Sequence, residues 1–260
     1  SNFYARGGDL TVGSKIHCQG VWSSGDGDYV PEANFDGGSS TISCIALFIV
    51  AGADVVMSSD VTTITGSAGG AAFRLDSQTG YNTYSNGTGT VKFTSASDQL
   101  LYSAGQVANG FTQFHDLILE KTSSTLQGLS SVGFHIKVGG DLTITSGILN
   151  TTTTTAVDHD LTVTGITTVY GTLTLNDSVV SLGASYTTDY GLEGAGGGSN
   201  IDMGGATVTT GAVNIPSGDF IMTSATWTIS STKTSTSAFL NIATTDTFSH
   251  GSGILKFTSS

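Results

Sequence analysis

The densest group of carboxylates in the chain is Asp26-Gly27-Asp28 with Glu32 and Asp36, four acidic side chains within eleven residues. Hard oxygen ligands at alternating spacing suit calcium. The segment lacks the bidentate Glu that an EF-hand loop needs, and the Gly-Gly-x-Gly-x-Asp nonapeptide of calcium-binding β-rolls is absent. The preferred reading of Asp26, Asp28, Glu32 and Asp36 is a solvated turn, with calcium as the alternative; no other cofactor is expected. Two carboxylates also flank an imidazole in Asp158-His159-Asp160, a set that suits metal binding or acid–base work. Successive residues of a strand point to opposite faces, so only the two aspartates share a side. An Asx-capped turn is expected there.

The other histidines, His17, His115, His135 and His250, share no ligand spacing, and His17-Cys18 alone is not a zinc motif. No Ser-His-Asp arrangement or phosphate-cradling glycine loop stands out. Cleavage of glycosidic bonds needs carboxylates gathered on one face, whereas the aspartates here are spread along the chain, so no enzymatic activity is expected. Tyr81, Tyr84, Tyr102, Phe111 and Phe114 suit sugar stacking, and suit core filling equally well. Cys18 and Cys44 are the two cysteines of the chain. In a secreted chain they are expected to form one disulfide, and closing such a loop contributes about 3 kcal/mol; buried free thiols, or bridges to a neighbouring subunit, are the other arrangements.

The elements that must position these groups are strands. Of 260 residues, 36 are Gly and 2 are Pro, and 11% are charged, against about a quarter in ordinary globular proteins. Only three Glu occur, no stretch keeps a 3.6-residue period, and Thr, Val and Ile suit a pleated, half-buried surface. The apolar share of 38%, regularly alternating, argues against disorder. The net charge of −12 comes without a basic patch, which excludes nucleic acid as a partner; the acidity is read as an aid to solubility. The apolar run from Cys44 to Ala51 is far short of the ~20 residues of a membrane helix. It reads as a strand buried on both faces, and no membrane insertion is expected.

Alternation at period two places Phe134, Ile136 and Val138 inward with His135 and Lys137 outward, and Val91 and Phe93 inward around Lys92. The same scheme covers Leu142, Ile144 and Ile148, then Leu161 and Val163, then Val169, Leu173 and Leu175. Residues 23–40 and 191–205 read as Gly-rich loops, and 151–155 as an exposed edge or loop. Asn86, Asn150 and Asn176 begin glycosylation sequons of the kind that chance supplies in such a composition.

The chain also repeats itself. Ser85-Asn86-Gly87-Thr88-Gly89-Thr90-Val91-Lys92-Phe93-Thr94-Ser95 returns as Ser249-His250-Gly251-Ser252-Gly253-Ile254-Leu255-Lys256-Phe257-Thr258-Ser259, and Met57-Ser58-Ser59 as Met222-Thr223-Ser224. Gly7-Gly8-Asp9-Leu10-Thr11 returns as Gly139-Gly140-Asp141-Leu142-Thr143, at a shorter spacing than the other two pairs. The drift in spacing marks an insertion, and suggests a first repeat over 1–86, a second over 87–250 with a Gly-rich insertion near 191–205, and the start of a third over 251–260.

Gly-Thr-Val-Lys-Phe, Phe114-His115-Asp116-Leu117-Ile118-Leu119 and Gly-Gly-Asp-Leu-Thr-Ile-Thr-Ser-Gly together resemble the Gly/Thr-rich repeats of secreted β-solenoid surface proteins: adhesins of the filamentous-haemagglutinin and autotransporter kind, archaeal surface proteins and phage fibres. The resemblance implies an extended extracellular scaffold without chemistry of its own. The expected fold is all-β, a right-handed parallel β-solenoid with irregular loop insertions, with tandem β-sandwich domains as the alternative. The expected role is structural, at the cell surface, in a filament, sheath or adhesin stalk. Its partners would be other copies of the chain, joined head to tail through strands carrying Phe3, Tyr4, Leu255 and Phe257; the alternative is a fibre module that binds a receptor or cell-surface glycan. Neither a starting Met nor a signal peptide is present, and a mature or partial chain, stopping inside a repeat, is expected.

Overall fold

A computed structural model describes residues 2–5, 7–18, 21–22, 29–30, 33–50, 53–76, 84–104, 113–128, 135–152, 158–183, 190–230, 239–243 and 247–258. Among them there is no helix, and almost every strand pairs in parallel. The strands fall into three columns, visited in the same order on each pass of the chain, so each strand pairs with one from the next pass. We call each pass a tier.

The first column runs through β1 (Asn2–Tyr4), β5 (Ala33–Asp36), β7 (Ala53–Val56) and β10 (Tyr84–Ser85), and resumes, with Phe114 bridging to Val138, through β14 (Ile136–Val138), β16 (Leu161–Val163), β19 (Val179–Leu182), β22 (Thr207–Thr210), β25 (Thr226–Ser230) and β28 (Ile254–Thr258). The second takes the first parts of β2 (Gly8–Cys18) and β6 (Ser40–Ile49), then β8 (Val61–Ile64), β11 (Thr90–Phe93), the first parts of β13 (Asp116–Gly128) and β15 (Leu142–Asn150), then β17 (Thr167–Val169), β20 (Tyr190–Gly194), β23 (Ala212–Ile215) and β26 (Leu240–Ile242). The third takes the ends of β2, β6, β13 and β15, together with β9 (Phe73–Asp76), β12 (Gln99–Ala104), β18 (Thr172–Thr174), β21 (Asn200–Asp202), β24 (Asp219–Ile221) and β27 (Phe248–Ser249). Antiparallel pairing, which a β-sandwich would need throughout, is confined among the described residues to β3 (Val21–Trp22) with β4 (Tyr29–Val30) and two isolated bridges.

Side chains facing inward from the three columns form one continuous core. Ile136, Val138, Leu142, Ile144, Leu161, Val163, Val169, Leu173 and Leu175 are all buried, as alternation predicts. Each such side chain contributes about 1.5–3 kcal/mol. Phe114 packs against Phe73 and Phe93 at ring-centroid distances of 5.1 and 6.3 Å, and Phe220 against Trp227 at 5.5 Å. In β6 the second half is buried on both faces, because Phe48 and Ala46 gain an outer cover from Ala71, Ala68, Val50 and Tyr102.

The tiers are unequal, which explains why no short period is legible. In the first column Val56 lies opposite both Asp36 and Ser85, and the chain takes a markedly longer path to Ser85 than it took from Asp36. Late in the chain Ile221 lies opposite both Asp202 and Ser249, again after a short pass and before a long one. Strands keep register while the connections vary in length.

The sequence repeats cover turns together with the strands some of them lead into. Gly7-Gly8-Asp9 and Gly139-Gly140-Asp141 both lead into the second column, and Asp141 Oδ1 accepts from the Ile166 N–H at 2.8 Å, as Asp116 Oδ1 does from that of Asp141. Met57-Ser58-Ser59 turns from the first column to the second, whereas its copy Met222-Thr223-Ser224 turns from the third to the first. Both turns are built alike. Ser58 Oγ donates to Ser40 O at 2.6 Å and accepts from Asp60 N; Thr223 Oγ1 donates to Ala206 O at 2.6 Å and accepts from Ala225 N.

Several local expectations are corrected. Residues 33–36 form β5 inside the expected loop 23–40, and β20 and β21 fall partly within 191–205. Thr151 is fully buried, its hydroxyl donating to Leu175 O at 2.6 Å, although an exposed edge or loop was expected over 151–155, of which 153–155 lie outside the described residues. Leu149 takes the inward place expected of Ile148, because the left-handed Gly147 (φ 82) shifts the phase of β15 by one residue. Phe134 lies outside the described residues.

Candidate functional site

Asp26, Asp28 and Glu32 of the expected calcium cluster lie outside the described residues. Asp36 closes β5, and its Oδ1 accepts from the Gly38 N–H at 2.9 Å, an Asx turn that engages the carboxylate locally. Asp202 repeats the arrangement with Gly204. Among the described residues no three His, Cys, Asp or Glu side chains gather in a way that would hold a metal ion. In Asp158-His159-Asp160 the carboxylates serve separate partners: Asp158 accepts from Thr152 Oγ1 at 2.8 Å, and Asp160 accepts from the Val179 N–H at 2.9 Å and lies 3.0 Å from His135 Nε2.

The expected disulfide is corrected: Cys18 and Cys44 are both buried free thiols. Register explains this. Cys44 lies opposite Val12, in the second column, whereas Cys18 lies opposite Ile49, further along β6 in the third. A disulfide requires Cα atoms within about 7 Å, and the five-residue step from Cys44 to Ile49 spans about 16 Å when extended. Burial pushes the two thiols up, Cys18 to about 11 and Cys44 to about 12.

The strands expected to associate lie on the outermost tiers. Among the described residues β26, β27 and β28 each pair on one side alone. Leu255 and Phe257 stand opposite the buried Trp227 and Ile229, so they face the core direction, yet Phe257 is 61% exposed. Phe248 stacks on Phe220 at 5.9 Å and is 48% exposed; Phe239 and Ile254 are exposed as well. Free ladder edges with bare apolar side chains template the addition of another strand.

The copy of β28 within the chain, β11, displays the covered form of the same sequence. β13 lies in parallel on its outer side, Val91 and Phe93 are buried, and Lys92 Nζ reaches Glu120 Oε2 at 2.6 Å. In β28 Leu255, Lys256 and Phe257 hold the equivalent places. At the opposite end, β1 and β2 also pair on one side, Phe3 opposite Phe35 and Tyr4 opposite Asp36; Tyr4 is exposed, and Leu10, Val12 and Ile16 are only half-buried.

Lys121 escaped the sequence reading although the signal was present, since it shares the parity of the inward Leu117 and Leu119. It is fully buried, and its ammonium donates to Ser95 O (3.2 Å), Ser97 O (3.0 Å) and Gln99 Oε1 (2.8 Å). Gln99 in turn donates to the carbonyls of Ile64 and Gly66. Together the two side chains fasten three successive tiers at the passage from the second column to the third. No protein-family model, no curated protein and no solved structure matches the chain.

Proposed function

We propose that the chain is a segment of a parallel β-solenoid that serves as an extracellular structural element, part of a surface filament, sheath or adhesin stalk, and that a second copy covers its outer tier head to tail. The observation that carries this reading is the outer tier itself: among the described residues no strand covers inward-facing Phe257, Leu255 and Phe248, whereas Val91 and Phe93 of β11, the sequence counterparts of Leu255 and Phe257, are covered by β13. A second copy suits the edge because its β1 and β2 offer free parallel edges and half-buried apolar residues of their own, and joining unlike ends of a parallel stack propagates without closing. Burying three large apolar side chains contributes about 1.5–3 kcal/mol each before the cost of association.

Sedimentation velocity across a concentration series, with electron microscopy of the same samples, tests it. End-to-end polymers are expected, and Phe257→Asp should shift their onset to at least about tenfold higher concentration, equal to about 1.4 kcal/mol. A chain that stays monomeric at every concentration, or that polymerises equally well with Phe257→Asp, overturns the proposal.

A further inference from the structure

We infer that the bulge between β13 and β15 is a binding site for a neutral carbohydrate, a site independent of the outer tier. The two strands run in register from Leu117 opposite Leu142 to Leu119 opposite Ile144; then Glu120 stands opposite Ser146 and Thr125 opposite Ile148. Residues 121–124 therefore have no place in that ladder; Lys121 and Ser124 are buried, and Thr122 and Ser123 stand out from it. Ser123 adopts φ 60, uncommon for any residue but Gly, and Gly147 opposite adopts φ 82. On the next tier Gly171 packs so closely that a Cβ there would fall 2.5 Å from the Gly147 carbonyl oxygen, which keeps the backbone beneath the bulge bare.

A hollow of about 480 Å³, open to solvent, results. This falls within the range of small-molecule sites, about 300–1,000 Å³. It is lined by Thr122, Ser123, Thr145, Ser146, Ile148 and Thr172, together with Tyr170, which is 47% exposed. Gly196 stands beside that ring, where a Cβ would lie 3.5 Å from Tyr170 Cδ1. Lys121 brings the one formal charge to the lining, and its ammonium is engaged by Ser95, Ser97 and Gln99.

This chemistry selects its ligand class. An anionic ligand meets no disengaged cation in the lining, and a metal ion meets no carboxylate. The lining mixes hydroxyl-bearing residues with Ile148 and Tyr170, which suits a neutral ligand with both polar and apolar faces. A neutral saccharide is such a ligand: its hydroxyls would exchange hydrogen bonds with Ser and Thr side chains, and its C–H face would lie on the tyrosine ring.

The test is saturation-transfer NMR and calorimetry on the whole chain with lactose, maltose and cellobiose at millimolar concentration, and with galacturonic acid oligomers as the charged control. At least one neutral disaccharide should bind and the charged oligomers should not. Tyr170→Ala should weaken binding at least about tenfold, and Tyr170→Phe should retain it; unchanged thermal midpoints show that both variants fold. Thr172→Val should also weaken binding. Failure of every neutral sugar to bind, equal binding of the charged oligomers, or full affinity in Tyr170→Ala overturns the inference. Polymer formation by the same samples, read by sedimentation, is unaffected by any of these outcomes and keeps this test separate from that of the outer tier.

Discussion

Replacing Lys121 by Met removes one ammonium from the interior and tests whether that ammonium fastens the tiers around it. The methionine fills similar space, so the loss is one of hydrogen bonds: Ser95 O, Ser97 O and Gln99 Oε1 each lose a donor. Gln99 Oε1 is buried and the two carbonyls are partly so; an acceptor left dry costs about 1–3 kcal/mol. Weighed against the relief of no longer burying a charge, the expected loss is about 2–3 kcal/mol, or about 4–12 °C in thermal midpoint for a chain of this size. Protonation supplies a second readout. Burial pulls the ammonium down from 10.5 to about 8, with the Asp98 carboxylate resisting. Between those values the unfolded chain binds the extra proton, so stability rises with pH above about 8, by up to about 1.4 kcal/mol per unit, and that gain is lost as pH falls back through about 8. Cys18 and Cys44, raised from 9.0 to about 11 and about 12, act in the opposite sense above pH 9, as does Tyr84, also raised by burial. The thiols of the unfolded chain already begin to ionise between pH 8 and 9, so the difference between the native protein and Lys121→Met across that window isolates Lys121. Urea unfolding at half-unit steps should show the native protein gaining stability relative to Lys121→Met. Equal stability of the two proteins at pH 7.5, or a difference between them that stays constant across the window, refutes the argument.

The free thiols predict a thermal midpoint that is the same with and without reductant, and maleimide labelling of Cys18 and Cys44 only after unfolding; a midpoint lowered by reductant would restore the disulfide. Gly89 sits where a Cβ would run into the carbonyl oxygens of Asp60 and Ser58, well inside contact distance, so Gly89→Ala should destabilise by about 1–3 kcal/mol. Gly197→Ala, with nothing within 4 Å of the added atom, should stay within about 0.5 kcal/mol of the native protein. Chemical denaturation of both variants checks the contrast.

Strand character was legible from alternation alone, because a half-buried strand writes its inward residues at every second position; Ile136, Val138, Val91 and Phe93 all obey. The tier length was not, because connections absorb insertions without disturbing the ladder, as the passages from Asp36 to Val56 and from Val56 to Ser85 illustrate. Phase errors arose where a glycine broke the period, as Gly147 does before Leu149. The mistaken pairing of Cys18 with Cys44 came from a distance along the chain that carries no information about position across columns. The hollow beside Tyr170 was invisible for a related reason: it is assembled from three tiers by a register slip between β13 and β15, and each Thr and Ser in it looks like any other in this composition. Lys121 was visible in principle, since parity alone puts it inside.

The repeated turn has one consequence for how the molecule meets its surroundings. Ser58 and Thr223 build the same corner, but one leads from the first column to the second and the other from the third to the first. Matching sequence thus emerges at two azimuths around the stacked columns. A filament or stalk made of such units would present the same corner toward more than one side, so a flat neighbour such as a cell wall or a second fibre would meet it with far less dependence on how the fibre happens to be rotated.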